Sequence, residues 1–271
     1  MGGRQVRLDE KTFDIDGNTT RHTQRAEFLP NVALIYKPRP DISLYTSYSK
    51  GLSLGGEAAW FTTNADEILP PTVSRQLEVG AKRDWQGLSL GAALFRISKA
   101  YQYSRPNGDG SFTFVQQGEQ ENIGLELSAS GHLTEQLQVA ASAAAIRARV
   151  EDSGTDSYEG HQAINVPKVR ASLHADYSIA SIKGLALLGG LRYSASKYAS
   201  QAGNVKVDGY TVFDAGARYT LDVEGYETVL RLTVDNLFDK RYWRDVGEYL
   251  GDGYLFQGAP RTARLSATVS F

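Results

Sequence analysis

The sequence predicts an all-β protein, specifically an antiparallel transmembrane β-barrel. Three observations lead there: apolar and polar residues alternate with a period of two in segment after segment, the connections between segments alternate between short and long, and the aromatic residues sort to two heights.

The alternation is cleanest at the C-terminal end, where Ala263, Leu265, Ala267, Val269 and Phe271 interleave with Thr262, Arg264, Ser266, Thr268 and Ser270. A period of two places one set on each face of an extended strand. Upstream, Leu230, Leu232 and Val234 alternate with Arg231, Thr233 and Asp235, and Phe213, Ala215, Ala217 and Tyr219 with Asp214, Gly216, Arg218 and Thr220. The same rhythm runs through Ala171–Tyr177, Ile123–Leu127, Leu77–Ala81 and Ile42–Leu44. In total roughly 12 strands fit this template.

Short turns are expected at 37–41, 85–87, 132–135, 180–184 and 222–226, with longer segments at about 11–25, 52–72, 103–118, 151–166, 199–206 and 239–260. Outer-membrane barrels carry short periplasmic turns and long extracellular loops, so the alternation assigns sides as well as strands. All eight prolines fall at expected turns, loops or strand margins, where a missing ladder donor costs little. Tyr36, Trp85, Tyr177, Tyr219 and Phe271 gather at the short-turn end, and Tyr48, Phe95, Tyr193, Phe213 and Phe238 toward the long-loop end, as two interfacial girdles would.

Composition agrees with this reading and removes others. The longest apolar runs, such as Leu185–Leu191, are far shorter than the roughly 20 residues a membrane helix needs. A mean hydropathy of −0.35 does not oppose a barrel, in which only alternate residues meet lipid. With 29 basic against 31 acidic residues, nothing proposes a nucleic-acid partner. Cysteine is absent, which removes disulfides and thiolate metal sites. His22, His132, His161 and His174 are scattered without ligand spacing, so no metal site is expected. The acidic pairs Asp66/Glu67 and Glu151/Asp152 lie in loops with no base or nucleophile nearby, and no nucleophile elbow, P-loop or dinucleotide fingerprint occurs. Neither an enzyme nor a cofactor is expected. No composition shift or linker marks a boundary, so residues 1–271 read as one domain.

Three stretches carry a family resemblance. Val234-Asp-Asn-Leu-Phe-Asp-Lys-Arg-Tyr-Trp243, followed by Gly258-Ala-Pro-Arg261 and a last strand ending in Phe271, resembles the C-terminal signature of TonB-dependent siderophore receptors. Leu44–Gly51, followed by Leu77–Lys82, is similar to the middle of those barrels, and Gly2-Gly3-Arg4 looks like the remnant of an earlier strand. The resemblance implies a Gram-negative outer-membrane location and a plugged barrel of roughly 22 strands. It also implies a ferric siderophore bound on the outer side and energy supplied through the TonB complex. The sequence is expected to be a partial barrel domain, with the plug domain, the TonB box, a signal peptide and the N-terminal strands absent. The runner-up is a self-contained barrel of about 12 strands acting as a passive pore, an autotransporter translocator or a phospholipase. A soluble β-sandwich or propeller comes third.

The ligand would meet the long loops, where Trp60, Phe61, Tyr101, Tyr103, Tyr158, Tyr249, Tyr254 and Phe256 offer aromatic faces beside polar groups. For any single one of these residues, a place in the outer girdle or packing of loop on loop is the reading that comes first. Phe271, in phase with the lipid face, resembles the signal read by the outer-membrane assembly machinery. Arg170, Arg192, Arg218, Arg231 and Arg264 should face inward with Glu78, Glu126, Asp176, Asp214 and Asp235 as structural ion pairs.

Overall fold

The computed structural model describes residues 1–249 and 252–271. Twelve strands form one antiparallel sheet in meander order. They are β1 (Gly2–Phe13), β2 (Thr19–Arg39), β3 (Ile42–Ser53), β4 (Thr72–Trp85), β5 (Leu88–Pro106), β6 (Phe112–His132), β7 (Leu137–Glu151), β8 (Val169–Ser178), β9 (Leu185–Ser194), β12 (Tyr210–Val223), β13 (Tyr226–Asp235) and β16 (Thr262–Ser270). Two ribbons stand apart at the long-connection end: β10 (Lys197–Tyr198) with β11 (Lys206–Val207), and β14 (Trp243–Tyr249) with β15 (Asp252–Gln257). Among the described residues nothing pairs β1 with β16, so the sheet has two free edges.

The register separates the faces as the alternation requires. Val79 lies opposite Leu94, and Leu125 opposite Ala145, on one side, while Glu78 opposite Phe95 and Glu126 opposite Ala144 lie on the other. The first side is an open apolar surface, with Leu34, Leu77, Val79, Leu94, Leu173, Leu187, Leu232 and Leu265 each 42% exposed or more. A water-soluble sheet would bury such a face under a second layer. No second layer covers it among the described residues, so the apolar face is the lipid face.

The other side is polar and concave. Arg192 pairs with Asp214 at 3.1 Å, Arg218 reaches over β9 to Asp176 at 2.9 Å, and Arg264 pairs with Asp235. A trough of about 710 Å³ runs along this wall from Tyr45 and Glu78 to Arg170 and Arg192. Glycines let large rings lie flat against it. A Cβ on Gly124 would stand 2.5 Å from the Phe95 ring, and one on Gly80 would stand 2.5 Å from the Tyr45 ring.

Three expectations are corrected. Segments 11–25 and 103–118 are mostly strand, leaving connections of only 14–18 and 107–111, so long and short do not alternate without exception. These extensions carry polar residues on both faces, so the period-two signal fades although the ladder continues. Pro30 lies inside β2, opposite Gly3, but at the point where β3 leaves the ladder, Asn31 being the first residue to pair with Ser49. Phe95 is no girdle residue: it faces inward over Gly124 and is 8% exposed. The other girdle residues behave as expected, with Tyr36, Trp85, Tyr177 and Tyr219 exposed at one rim and Tyr193, Phe213 and Phe238 at the other.

Candidate functional site: the cleft at the long-connection end

The strand extensions of β5 and β6 carry the long-connection end well beyond the apolar belt, and the connections fold against them. Tyr101 and Tyr103 stack at 4.8 Å and 18°, buried beside Val150. The Tyr103 hydroxyl donates to the Ser153 carbonyl at 2.7 Å and lies 2.8 Å from Thr155 Oγ1. Tyr101 donates to Gln201 Oε1, which ties connection 195–209 to β5. Tyr158 meets Tyr103 edge-on at 5.5 Å.

The start of connection 152–168 is fastened by one carboxylate. Glu159 accepts the Asp152 and Ser153 amides at 2.6 and 3.0 Å and the Ser153 hydroxyl at 2.8 Å. Partial desolvation pushes the Glu159 pKa up, but these hydrogen bonds outweigh it and hold the carboxyl below its ordinary value.

Connection 54–71 is clipped to β6 by Asn64, whose Nδ2 donates to the Phe114 carbonyl and whose Oδ1 accepts the Phe114 amide, both at 2.9 Å. At Gly55 a Cβ would sit 1.6 Å from the Leu69 carbonyl oxygen, so the chain can close there only as glycine. An aromatic arc follows, with Trp60 edge-on to Phe61 at 6.2 Å and Phe61 edge-on to Phe112 at 6.0 Å.

The β14–β15 hairpin docks through Lys197. This lysine is 2% exposed and donates to the Arg244 carbonyl, and burial lowers its pKa. Val246 N donates to Asn165 Oδ1 at 3.1 Å. Arg244 bonds Asp245 at 2.6 Å, and this bond holds the Asp245 carboxyl below its ordinary value.

The motif that carried the resemblance proves to be a structural clamp. Asn236, 2% exposed and at φ 51°, donates to the carbonyls of Lys240 and Ala259 at 2.9 and 3.0 Å and accepts the Lys240 amide at 2.8 Å. Asp239 accepts the Arg261 amide at 2.9 Å. Tyr242 lies over Gly258, where a Cβ would come within 2.0 Å of its ring. Both ends of the connection are thus fastened to each other at the rim.

These connections enclose a cleft of about 670 Å³, with Phe112, Tyr158, Val205, Trp243 and Leu255 as apolar walls and Lys206 and Asp208 as charged groups. Of the aromatics singled out in the sequence, Tyr158 alone among the described residues lines it. Tyr101 and Tyr103 lie beneath, their rings used in packing and their hydroxyls in hydrogen bonds, so they present no surface to a ligand here. Trp60 is 67% exposed, and Phe61 backs Phe112. Tyr254 and Phe256 meet edge-on at 5.0 Å and stay exposed on the hairpin. The Tyr249 side chain lies outside the described residues. Phe271 sits at the opposite rim, edge-on to Tyr226 at 6.1 Å. Phe112, Trp243, Val205 and Leu255 were missed because they come from three separate places in the chain, the start of β6, connection 195–209 and the β14–β15 hairpin. Among the described residues no acidic or histidine cluster could hold a metal ion.

A single curved sheet with an apolar outer face, a charged inner face and an apolar cleft above the lumen is the architecture of an outer-membrane barrel. The family described as "TonB dependent receptor-like, beta-barrel" matches residues 2–237, and the chain belongs to it. It is therefore a receptor barrel of the outer membrane, of a family that does not consist of enzymes. The ferrichrome receptor FcuA of Yersinia enterocolitica is 27% identical over the whole chain, and the ferrichrome outer membrane transporter/phage receptor of Escherichia coli is 29% identical over the same span. The crystal structure of BauA, the ferric preacinetobactin receptor of Acinetobacter baumannii, superposes on 94% of the chain with a TM-score of 0.78 at 32% identity, and the match covers 38% of that receptor. The chain spans 36% of the length of the two curated relatives. The long connections are accordingly the extracellular ones.

Proposed function

We infer that the receptor containing this chain takes up a ferric siderophore, bound from outside at the cleft between Phe112, Tyr158, Trp243 and Leu255, with energy supplied through the TonB complex. The cleft itself carries this reading. It is apolar and aromatic, has a few charged groups, opens at the extracellular mouth of a polar lumen, and its volume suits a ligand of several hundred daltons. The relatives support it, since they are receptors for ferrichrome, ferrioxamine and ferric preacinetobactin. The siderophore brings its own iron ligands, so the protein needs none.

Residues 1–271 act here as barrel strands of a wider domain. The edges β1 and β16 expose unpaired backbone groups, which lipid does not tolerate, so each requires a neighbouring strand. The plug and the TonB contact belong to parts of the receptor other than these strands. Phe271, outward and fully exposed at the periplasmic rim, is the group the assembly machinery would read.

In the full-length receptor, Trp243→Ala and Tyr158→Ala should each weaken binding of the cognate ferric siderophore about tenfold or more, the scale of an aromatic anchor. Fluorescence quenching on titration and iron uptake by whole cells would check this. Unchanged binding in both variants would move the site elsewhere.

A further inference from the structure

Three of the connections that wall the cleft meet at one buried junction. Lys197, in β10, is 2% exposed and reaches across to β14, where its Nζ donates to the Arg244 carbonyl. Asn165, at φ 60° in connection 152–168, stands beside it. Its amide donates to the Tyr198 carbonyl at 3.1 Å, and its Oδ1 accepts the Val246 amide at 3.1 Å. Connection 152–168, connection 195–209 and the β14–β15 hairpin are thereby fastened to one another at a single place.

Each attachment lies one step from a group that lines the cleft. Trp243 directly precedes Arg244, Leu255 faces Val246 across the hairpin, and Val207 faces Lys197 across the β10–β11 ribbon. Tyr158 stands on the same connection as Asn165. The junction therefore fixes the distance between the wall of Trp243 and Leu255 and the wall of Tyr158, Val205 and Val207. A lysine is an unusual group for this tie. An ammonium carries three donors, and among the described residues only the Arg244 carbonyl accepts from Lys197. Asp245 attracts it through space, but Arg170 and Arg244 repel it. A buried charge so sparsely compensated destabilises the fold. Departures of this kind from what stability alone favours occur where position matters to function.

We propose that Lys197, together with Asn165, is a positioning residue that sets the width of the cleft and so its selectivity for the size of the ligand. The ammonium is buried and presents no surface to a ligand. It acts through Trp243, by holding the carbonyl of the next residue. The proposal rests on the siderophore reading of the cleft and adds the group that decides how bulky a siderophore fits. With the tie in place the two walls stand at one spacing, and a chelate that fills it meets both. Without the tie the hairpin keeps its clamp at Asn236 but loses its lateral hold, the spacing widens, and a compact chelate meets only one wall.

The test uses the full-length receptor in detergent, with affinities read by fluorescence quenching. The first probe is whichever of ferrichrome, ferrioxamine B and ferric preacinetobactin binds most tightly, and the second is the same chelate enlarged by a bulky aromatic substituent. Lys197→Met keeps the apolar stem of the side chain and removes the donor. It should weaken the compact probe about tenfold, the scale of one hydrogen bond to a charged group, and the enlarged probe less than about threefold, so that the ratio of the two affinities falls. Asn165→Gly, which suits the positive φ and removes the acceptor for Val246, should lower the ratio in the same direction. A general loss of stability would weaken both probes alike. In the Trp243→Ala background Lys197→Met should cost no more than about twofold, because the wall it positions is gone. An unchanged ratio in both Lys197→Met and Asn165→Gly, or full additivity with Trp243→Ala, would overturn the proposal while leaving the cleft as the site. If Trp243→Ala and Tyr158→Ala also bind as the wild type does, the siderophore reading of the cleft has itself failed, and this proposal falls with it.

Discussion

At Glu159 a single carboxylate ties down the Asp152–Ser153 turn, so the order of that turn is tied to its ionisation. The folded-state pKa is depressed, so the stabilisation is fully present above the ordinary carboxyl value and is lost as pH falls through the lowered one. Protection of the Asp152 and Ser153 amides from hydrogen exchange, measured against the intrinsic rate at each pH, should therefore be high at neutral pH and fall only well into the acid range. In Glu159→Gln those amides should exchange faster even at pH 7. Tyr103 allows a second test at the same scale. Its buried hydroxyl has two partners, so Tyr103→Phe should cost about 1 kcal/mol by leaving the Ser153 carbonyl without its donor and the Thr155 hydroxyl without its acceptor, whereas Tyr103→Ala should cost about 3–5 kcal/mol through the cavity it opens. Equilibrium unfolding in urea would read both. Equal losses would show that the ring, and not its hydroxyl, is what this position supplies.

Strands are the scale at which the sequence was most legible, and the reason is the solvent. Within the belt, lipid on one side and water on the other impose a period of two, and Leu77–Ala81, Ile123–Leu127 and Leu230–Val234 show it without help from tertiary packing. Beyond the belt lipid no longer meets one face, the constraint disappears, and Thr19–Gln24 and Tyr103–Pro106 read as loop although they are strand. The cleft was hidden for a related reason. Trp243 and Leu255 of the β14–β15 hairpin meet Phe112 of β6 and Val205 of connection 195–209, and no spacing in the chain announces that meeting. The buried Lys197 had no signal at all, its partner being a backbone carbonyl contributed by the β14–β15 hairpin. Aromatic-over-glycine contacts sit between these cases, because Phe95 and Gly124 become a pair only once the register is known. Gly124→Val should force the Phe95 ring off the wall and cost about 1–3 kcal/mol, as overpacking does. The companion change Phe95→Ala in the valine background should recover part of that loss, which denaturant titration would reveal as non-additivity.

For the molecule as a whole, the decisive property is that its apolar residues are outside. The cluster of buried apolar side chains formed by Tyr101, Tyr103 and Val150 lies at the mouth, on the strand extensions beyond the belt. Stability in the belt thus depends on lipid outside and on ion pairs such as Arg218–Asp176 inside. It follows that Leu125→Arg, on the lipid face near mid-strand, should cost about 2–4 kcal/mol on refolding into vesicles, whereas Glu126→Arg, one residue along and facing the lumen, should cost far less.

The same asymmetry gives the most direct test of the account. Single cysteines placed at Leu94, Leu125 and Leu173 and at Glu126, His174 and Asp214 in the full-length receptor, labelled with a fluorophore and reconstituted into vesicles, would be exposed in turn to a lipid-chain quencher and a water-soluble one. The lipid quencher should act on the first three positions and the aqueous quencher on the second three. Quenching that does not alternate with residue parity, or leucine positions reached only from water, would contradict the assignment of this sheet to the wall of an outer-membrane barrel.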